Sequence, residues 1–549
     1  MTHVVEKAPS VAEYDSDFTT EWSGALYGVR RYLGMIGLGL ALFLTGIEAT
    51  IVSTSLVTIV NDLQNSEQSS WIITSYLLTY TGSLIYPQFS GLLSSGPILA
   101  TSLGLNMPSS VPCSFSRHSQ VVVVERRPLI NCTIICRAFQ GIGAAGVYTL
   151  ACFSFIRIVP PEQYKLTTTI AGGVISLGLV LGPLFGGAIS NSGKWRWVFL
   201  YNLPAGAFAW LMIFLILPAH FPHRSPPPTK ESLSIRIWQK TKTCFRHLDL
   251  MGAFIILTAC SLLIAALQEG NSQYAWDSGL VISFLVISGV FWFAFVGWEW
   301  FISLHCQTIS PVFPWRLTHN RTFMGLALGF FTTGLPLTVC VIMIPQRFQI
   351  VNGSSPIGAG VKLLSFALSC QVGIIACSLL SGRAKIPFCY IALFGIACQI
   401  AGLFPYSEIA STPKLWLGQF GYLVLAGLGI GLSVSAFYMA TSLVVDPKDQ
   451  NIALAIGIQL RSLGGVGGVA ASTTILHHYI QSRLSSSLQP QELAALLQTT
   501  TAINAFPSDV QLHVREVYAM AYSAQMKLTG AFSATQLLAV ALMWKRENV

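Results

Sequence analysis

The feature that most restricts this chain is repetition: fourteen apolar runs, thirteen plain and one weak, are separated by mostly short polar links. A helix of about 20 apolar residues, rising 1.5 Å per residue, is long enough to cross the ~30 Å hydrocarbon core of a bilayer. Lipid offers the backbone no hydrogen-bond partners, so only helices and closed barrels can span it. Long continuous runs with little period-two alternation exclude the barrel. Charged residues are only 10% of the chain and hydrophobic ones 53%, against about 25% charged in soluble proteins. The fold class is therefore an all-α polytopic membrane protein.

The runs fall at 33–60, 70–95, 97–124 (the weak one), 129–155, 166–190 and 197–219, then at 248–268, 277–301, 322–345, 355–381, 386–406, 414–442, 452–478 and 519–544. Orientation follows from the links. Residues 220–247 carry Arg224, Lys230, Arg236, Lys240, Lys242 and Arg246 against the single acid Glu231. The positive-inside rule puts such a link in the cytoplasm. Six spans precede it, so both termini are expected there too. The segment opens with "PHRSPPPTK", a stiff proline-rich stretch. It continues with Ile235, Trp238 and Phe245 among cations, a pattern for a helix lying on the inner leaflet. Residues 480–518 read as a longer outer loop with a short helix at "PQELAALL".

A formal charge of +9 would suit nucleic acid, but the cations sit between apolar runs and no aromatic RNA-reading motif accompanies them. No nucleic-acid partner is expected. Twelve cysteines are scattered without a CxxC pair, so neither a zinc site nor a disulfide framework is expected. The polar start, "MTHVVEKAPSVAEYDSDFTTEW", lacks the apolar core of a signal peptide and reads as a disordered cytoplasmic tail. Trp71, Trp195, Trp197, Trp276 and Trp544 lie at run ends, where an aromatic belt places its anchors.

Several short patterns mimic catalytic motifs. "GIGAAG" (141–146) matches the dinucleotide fingerprint GxGxxG, yet it sits inside an apolar run rather than after a strand. Its small residues are better suited to close helix packing in lipid. "NSGKW" (191–195) puts Ala188 and Trp195 where a phosphate loop needs glycine and a magnesium-binding hydroxyl. His477 and His478 have no third ligand nearby in sequence and read as a solvated pair. No catalytic constellation is present, so the chain is not expected to be an enzyme.

Two stretches carry more. In "GLVLGPLFGGAI" (178–189), Gly178, Gly182 and Gly186 recur every four residues and share one helix face. Pro183 in their midst frees a backbone carbonyl and bends the helix. In "GIEATIVSTSLVTIV" (46–60) and "ICRAFQGIGAAG" (135–146), Glu48 and Arg137 are set inside apolar runs. A charge at mid-bilayer costs ~2.5–3.5 kcal/mol on insertion scales, so it normally faces a cavity or a partner. Counting from the outer ends of two antiparallel spans, the pair differs in depth by about 6 Å, within an arginine's reach. We expect a Glu48–Arg137 pair, direct or through water. It is either a static ion pair or a carboxyl that exchanges a proton as the cavity opens to each side.

"GIEATIVSTSLVTIV", "CRAFQGIGAAG", "GLVLGPLFGGAI" with "KWRWVFLYNLPAG", and "QFGYLVLAGLGIGLSVS" with "IALAIGIQLRSLGG" occur in this order between residues 32 and 544. Together they resemble the fourteen-span drug:proton antiporter branch of the major facilitator superfamily. "LDLMGAFIILTACSLLIAALQEG" with "YAWDSG", and "PQRFQIVNGSSPIGAGVKLL", are similar to its fungal toxin and multidrug efflux pumps. The resemblance implies a cytoplasmic tail (1–32), a six-helix bundle (33–219) and a cytoplasmic linker (220–247). Two additional helices (248–301), a cytoplasmic loop (302–321), a second six-helix bundle (322–544) and a short tail (545–549) follow. It implies a monomeric plasma-membrane pump, or one in a vacuolar or other internal membrane. Such a pump exports small amphipathic toxins, drugs or secondary metabolites by alternating access, driven by protons and needing no cofactor. An uptake carrier, for instance for an iron chelate, and a non-transporting receptor remain the alternatives.

By position, Arg137 matches the family's proton-coupling arginine, and Glu48 stands where an aspartate is usual. Gly178, Gly182, Pro183, Gly186 and Gly187 match the antiporter motif, a glycine face that seals the cavity. Thr50 and Gln140 beside the charges, and Gln459 and Arg461 of the thirteenth span, are candidates to line it. Two departures stand out. The family's G-x-x-x-D-x-x-G-R-K gate loop appears as "GLLSSGPILATS", with Gly91 kept, Ser95 in the aspartate's place and the GRK missing. The stretch 105–128, with Pro108, Pro112 and Arg117, makes a degenerate third span. A gene-model error over 96–128, or a decayed gene, accounts for both, and the transcript sequence distinguishes them.

Overall fold

Each apolar run closes its own backbone hydrogen bonds, and the computed structural model is a bundle of long helices. It describes residues 28–63, 69–81, 127–159, 164–217, 249–270, 274–305, 311–382, 384–409, 416–445, 450–485 and 506–544, with a few isolated positions between them. The expected tails, the gate loop, the degenerate third span and the proline-rich linker fall outside the described residues, except as noted below.

The helices are α1 (Val29–Leu63), α2 (Ser69–Thr81), α3 (Arg127–Arg157), α4 (Tyr164–Asn191), α5 (Trp197–Leu200) and α6 (Asn202–Ile216). They continue as α7 (Leu250–Glu269), α8 (Gly279–His305), α9 (Trp315–Thr318), α10 (Arg321–Ile350) and α11 (Pro356–Gly382). The last four are α12 (Phe388–Ser407), α13 (Gln419–Val444), α14 (Gln450–Leu484) and α15 (Ser508–Met543). Among the described residues, 12 helices are long and apolar enough to cross a membrane. The protein is an integral, multi-pass membrane protein.

In the first bundle α1 packs against α4, α3 and α6, and α2 packs against α3. In the second, α10 packs against α14, α15, α13 and α11, with α12 against α13 and α15. Glycines set the closest approaches. A methyl group on Gly141 of the "GIGAAG" stretch would collide with the Tyr76 carbonyl and the Thr79 hydroxyl of α2. Gly141 thus serves helix packing, as expected of small residues in lipid.

The additional pair α7–α8 leans on the seam between the two bundles. At its start, Asp249 accepts from the Gly252 amide (2.8 Å) and from the Trp298 indole of α8 (2.9 Å). At its far end α7 holds both bundles: Glu269 accepts from Trp71 of α2 (3.0 Å), and the Leu267 carbonyl accepts from Thr474 of α14 (2.5 Å). On α8, Ile282, Val286, Val290 and Phe293 are exposed, a helical stripe that lipid would cover.

Four expectations are corrected. First, α1 begins at Val29 rather than 33, because Arg30, Arg31 and Tyr32 continue the helix at its polar end, where amphipathic side chains can snorkel to water. Second, the outer loop is shorter than 480–518. Helix α14 runs to Leu484, and α15 starts at Ser508, where Val514, Val517 and Tyr518 give a polar-looking segment a buried face. Third, Trp195 is not a lipid anchor: it is 2% exposed and donates its indole N–H to Asp62 at 2.9 Å, which ties the link before α5 to the end of α1. Trp197, Trp276 and Trp544 are exposed, as an aromatic belt requires. Fourth, the histidines are not a solvated pair, since α14 turns His477 inward and His478 outward.

Candidate functional site

Glu48 sits midway along α1, fully buried, because the helix turns its polar face away from lipid. Across from it α3 presents Arg137, also buried, whose guanidinium Nη1 donates to Glu48 Oε1 at 2.6 Å. The expected pair is therefore direct. Arg137 also donates from Nη1 to Gln140 Oε1 (2.8 Å) and from Nε to the Ile72 carbonyl of α2 (3.2 Å). Its guanidinium carbon lies 4.2 Å from the centre of the Tyr76 ring, a cation–π contact. Gln140, expected to line a cavity, is completely buried and orients Arg137.

Two partners of Glu48 escaped the reading of the sequence. The Asn202 amide donates to Glu48 Oε2, and the Tyr201 hydroxyl reaches the same oxygen at 3.4 Å. Both begin α6, inside the "KWRWVFLYNLPAG" stretch. That motif was visible, but nothing local shows that its Tyr-Asn faces a residue more than 150 positions earlier. One carboxylate thus joins α1, α3 and α6 directly, and α2 through Arg137. A buried carboxylate is tolerable only with such a full set of donors.

The glycine face divides in two. Gly178, Gly182 and Gly186 lie against α1, where a methyl group on each would strike the Phe43, Ile47 and Ile51 carbonyls respectively. A ladder of α1 hydroxyls bonds to α4: Thr50 donates to the Leu179 carbonyl (3.3 Å), Thr54 to Pro183 (2.9 Å) and Ser55 to Gly186 (3.0 Å). Thr50 is thus a seam residue and not a cavity wall, because the close approach permitted by Gly182 leaves no space beside it.

Gly187 is rotated about 100° from Gly186 and faces the second bundle. A methyl group there would meet the Pro356 carbonyl and Ile357 of α11, and one on Gly360 would meet the Pro183 carbonyl. The Gln349 amide of α10 adds a bond to the Thr54 carbonyl at 3.1 Å. At this end, the one expected to face outside, the two bundles are closed against each other.

The remaining candidates belong to α14. Gln459 lines an apolar crevice shared with Ile256 and Cys260 of α7 and Phe295 of α8, so it faces the additional helices rather than the Glu48 pair. Arg461 lies 5.9 Å from the Tyr438 ring centre. Among the described residues, no group of His, Cys, Asp and Glu could hold a metal ion.

Two bundles of membrane helices closed at one end, with a buried acid–base pair inside one of them, define the class of secondary transporters. The chain belongs to the Major Facilitator Superfamily, whose family model matches residues 38–471. An MFS-type transporter of Fusarium mangiferae, FPY5, is 35% identical and aligns over 98% of this chain and 87% of its own length. The efflux pump apf11 of Gibberella fujikuroi is 29% identical over 81% of this chain and 75% of its own length. In structure, a bacterial homologue of the human lysosomal transporter Spinster, crystallised inward-facing and unoccupied, covers 95% of this chain and 100% of its own, with a TM-score of 0.65 and 16% identity. That last likeness concerns the fold alone.

Proposed function

We propose that this protein exports small amphipathic compounds in exchange for protons, with Glu48 as the proton-carrying group. The observation that carries the reading is the buried Glu48–Arg137 pair, held at 2.6 Å at the junction of α1, α3 and α6. Relatives named as efflux pumps support the direction of transport. A proton taken up by Glu48 removes the charge that Arg137, Asn202 and Tyr201 converge on, so the tie between these helices weakens. Helix α1 lies on α4 through the glycine seam, and the adjacent face of α4 closes on α11. A small shift of α1 therefore has a packed route to the seal between the bundles. Tightly packed seams favour two discrete arrangements over gradual deformation.

In this reading both termini are cytoplasmic, the protein works as a monomer in the plasma membrane, and no cofactor takes part. A proton crossing ~100 mV supplies about 2.3 kcal/mol, before any pH difference is counted. The test is export of a fluorescent amphipathic dye by the purified protein in liposomes under an imposed proton gradient. Export should accelerate with the gradient and lose that acceleration in Glu48→Gln. A rate indifferent to the gradient, or a fully coupled Glu48→Gln variant, overturns the proposal.

A further inference from the structure

The arginines within the membrane helices of this protein are not treated alike. Arg137 has a carboxylate, an amide oxygen, a backbone carbonyl and an aromatic face as partners. Arg461, eleven residues into α14 and half-buried, has no ion pair among the described residues: its guanidinium hydrogen-bonds the Tyr438 phenol, while its Nε is buried without a hydrogen-bond partner. The ionisable groups facing it include the phenols of Tyr80, Tyr148 and Tyr438 and the Cys370 thiol of α11. Its backbone is fixed, since its carbonyl lies where a methyl group on Gly334 of α10 would be. The point from which the guanidinium reaches out is therefore set by close packing of α14 on α10.

The tyrosines come from both bundles: Tyr80 from α2, Tyr148 from α3 and Tyr438 from α13. The Tyr80 and Tyr148 rings of the first bundle lie with centroids 6.2 Å apart, and in the second bundle Tyr438 packs on Phe330 at 4.8 Å. Tyr80 also stacks at 5.9 Å on Tyr76, the ring that carries Arg137. A second buried arginine, Arg347, also has an unpartnered Nε, but it rests on Tyr406 of its own bundle and does not join the two halves.

We propose that Arg461 and the surrounding tyrosines bind an anionic, planar aromatic compound, a carboxylate or an acidic phenol, as the transported substrate. The ligand supplies a counter-charge that no described residue gives Arg461, and its ring lies among aromatic faces drawn from both bundles. A cation in the membrane interior is costly without an ionised partner, so Arg461 favours a ligand that brings its own negative charge. Because Tyr76 touches both the Tyr80 ring and Arg137, occupancy and the Glu48 proton site share a wall. This inference rests on the export reading and specifies its substrate class.

The experiment measures binding, so that it can fail separately from export. Protein in lipid nanodiscs is dialysed against naphthalene-2-carboxylate, its neutral methyl ester, or naphthylmethylammonium. The carboxylate should bind at least tenfold more tightly than either of the others. Arg461→Gln should lose that preference while binding the ester within threefold of the wild type, and Arg461→Lys should recover part of it. Equal binding of ester and carboxylate by the wild type, or an undiminished preference in Arg461→Gln, overturns the proposal. Should Arg461→Gln not fold, photolabelling of the wild type with an azido-naphthoate decides. Label on Tyr80, Tyr148 or Tyr438 peptides supports the site, and label confined elsewhere refutes it. A protein that binds the carboxylate but does not export it leaves the site standing and removes the export reading.

Discussion

Thr50 donates its hydroxyl to the Leu179 carbonyl at 3.3 Å, the very carbonyl that Pro183, having no N–H, leaves without its helical partner. The bend in α4 and the hydroxyl on α1 are thus two halves of one arrangement. Proline is tolerated in a membrane helix because a neighbour satisfies the freed oxygen.

Replacing Thr50 by valine keeps the shape and removes the donor. Interhelical hydrogen bonds in membranes average ~0.6 kcal/mol and reach about 1.7. Thr50→Val should therefore lower stability by about 0.5–2 kcal/mol, read from denaturant unfolding in mild detergent. No measurable change would show that the Leu179 oxygen does not depend on Thr50.

Gly182 and Gly173 lie on the same helix but meet different surroundings. A methyl group on Gly182 collides with Thr50 and the Ile47 carbonyl, whereas one on Gly173 finds nothing within 4 Å. Gly182→Ala should cost about 1–3 kcal/mol through overpacking and slow export. Gly173→Ala should be neutral or stabilising by up to ~1 kcal/mol from helix propensity. Thermal unfolding of the two variants side by side tests this, and equal effects would contradict the seam.

Asn202 should matter to coupling although it is uncharged. A hydrogen bond to a charged group contributes about 1.5–3 kcal/mol, or roughly 10–100-fold in a rate or equilibrium. Asn202→Leu should lower gradient-driven export by about that factor while leaving gradient-free exchange of labelled substrate in place. Equal loss of both activities would mark Asn202 as a structural residue only.

The closed end can be wedged apart. A Cβ on Gly187 would lie 2.6 Å from the Pro356 carbonyl and 2.8 Å from the Ile357 Cα, so Gly187→Leu should oppose closure by overpacking and suppress export while folded protein still reaches the membrane. Export at the full rate by Gly187→Leu would show that transport does not depend on closing this end.

Much of the protein was legible from local order. Run length identified each of the twelve long spans within a few residues at most ends, because hydrocarbon thickness imposes a length that no distant contact alters. The four-residue spacing of Gly178, Gly182 and Gly186 showed a shared face, since helical periodicity is a property of neighbours. The depths of Glu48 and Arg137 brought them within reach by counting alone. The expected start of α15 was late by eleven residues, because the Val514–Tyr518 segment is polar on one face and its buried face depends on packing.

Other assignments required the helices to be crossed. Residue order determined that this chain spans a membrane many times, which helix faces are small and where two opposite charges lie in depth, since length, period and rise are local properties. Tertiary structure alone decided that Trp195 faces Asp62 instead of lipid, that Gly186 and Gly187 serve different partners, and that Asn202 completes the Glu48 site. It alone also made the Glu48–Arg137 contact direct and set Arg461 among tyrosines. A side chain's environment within the bundle is set by helices from distant parts of the chain, and their rotation and crossing are fixed by packing on all sides at once.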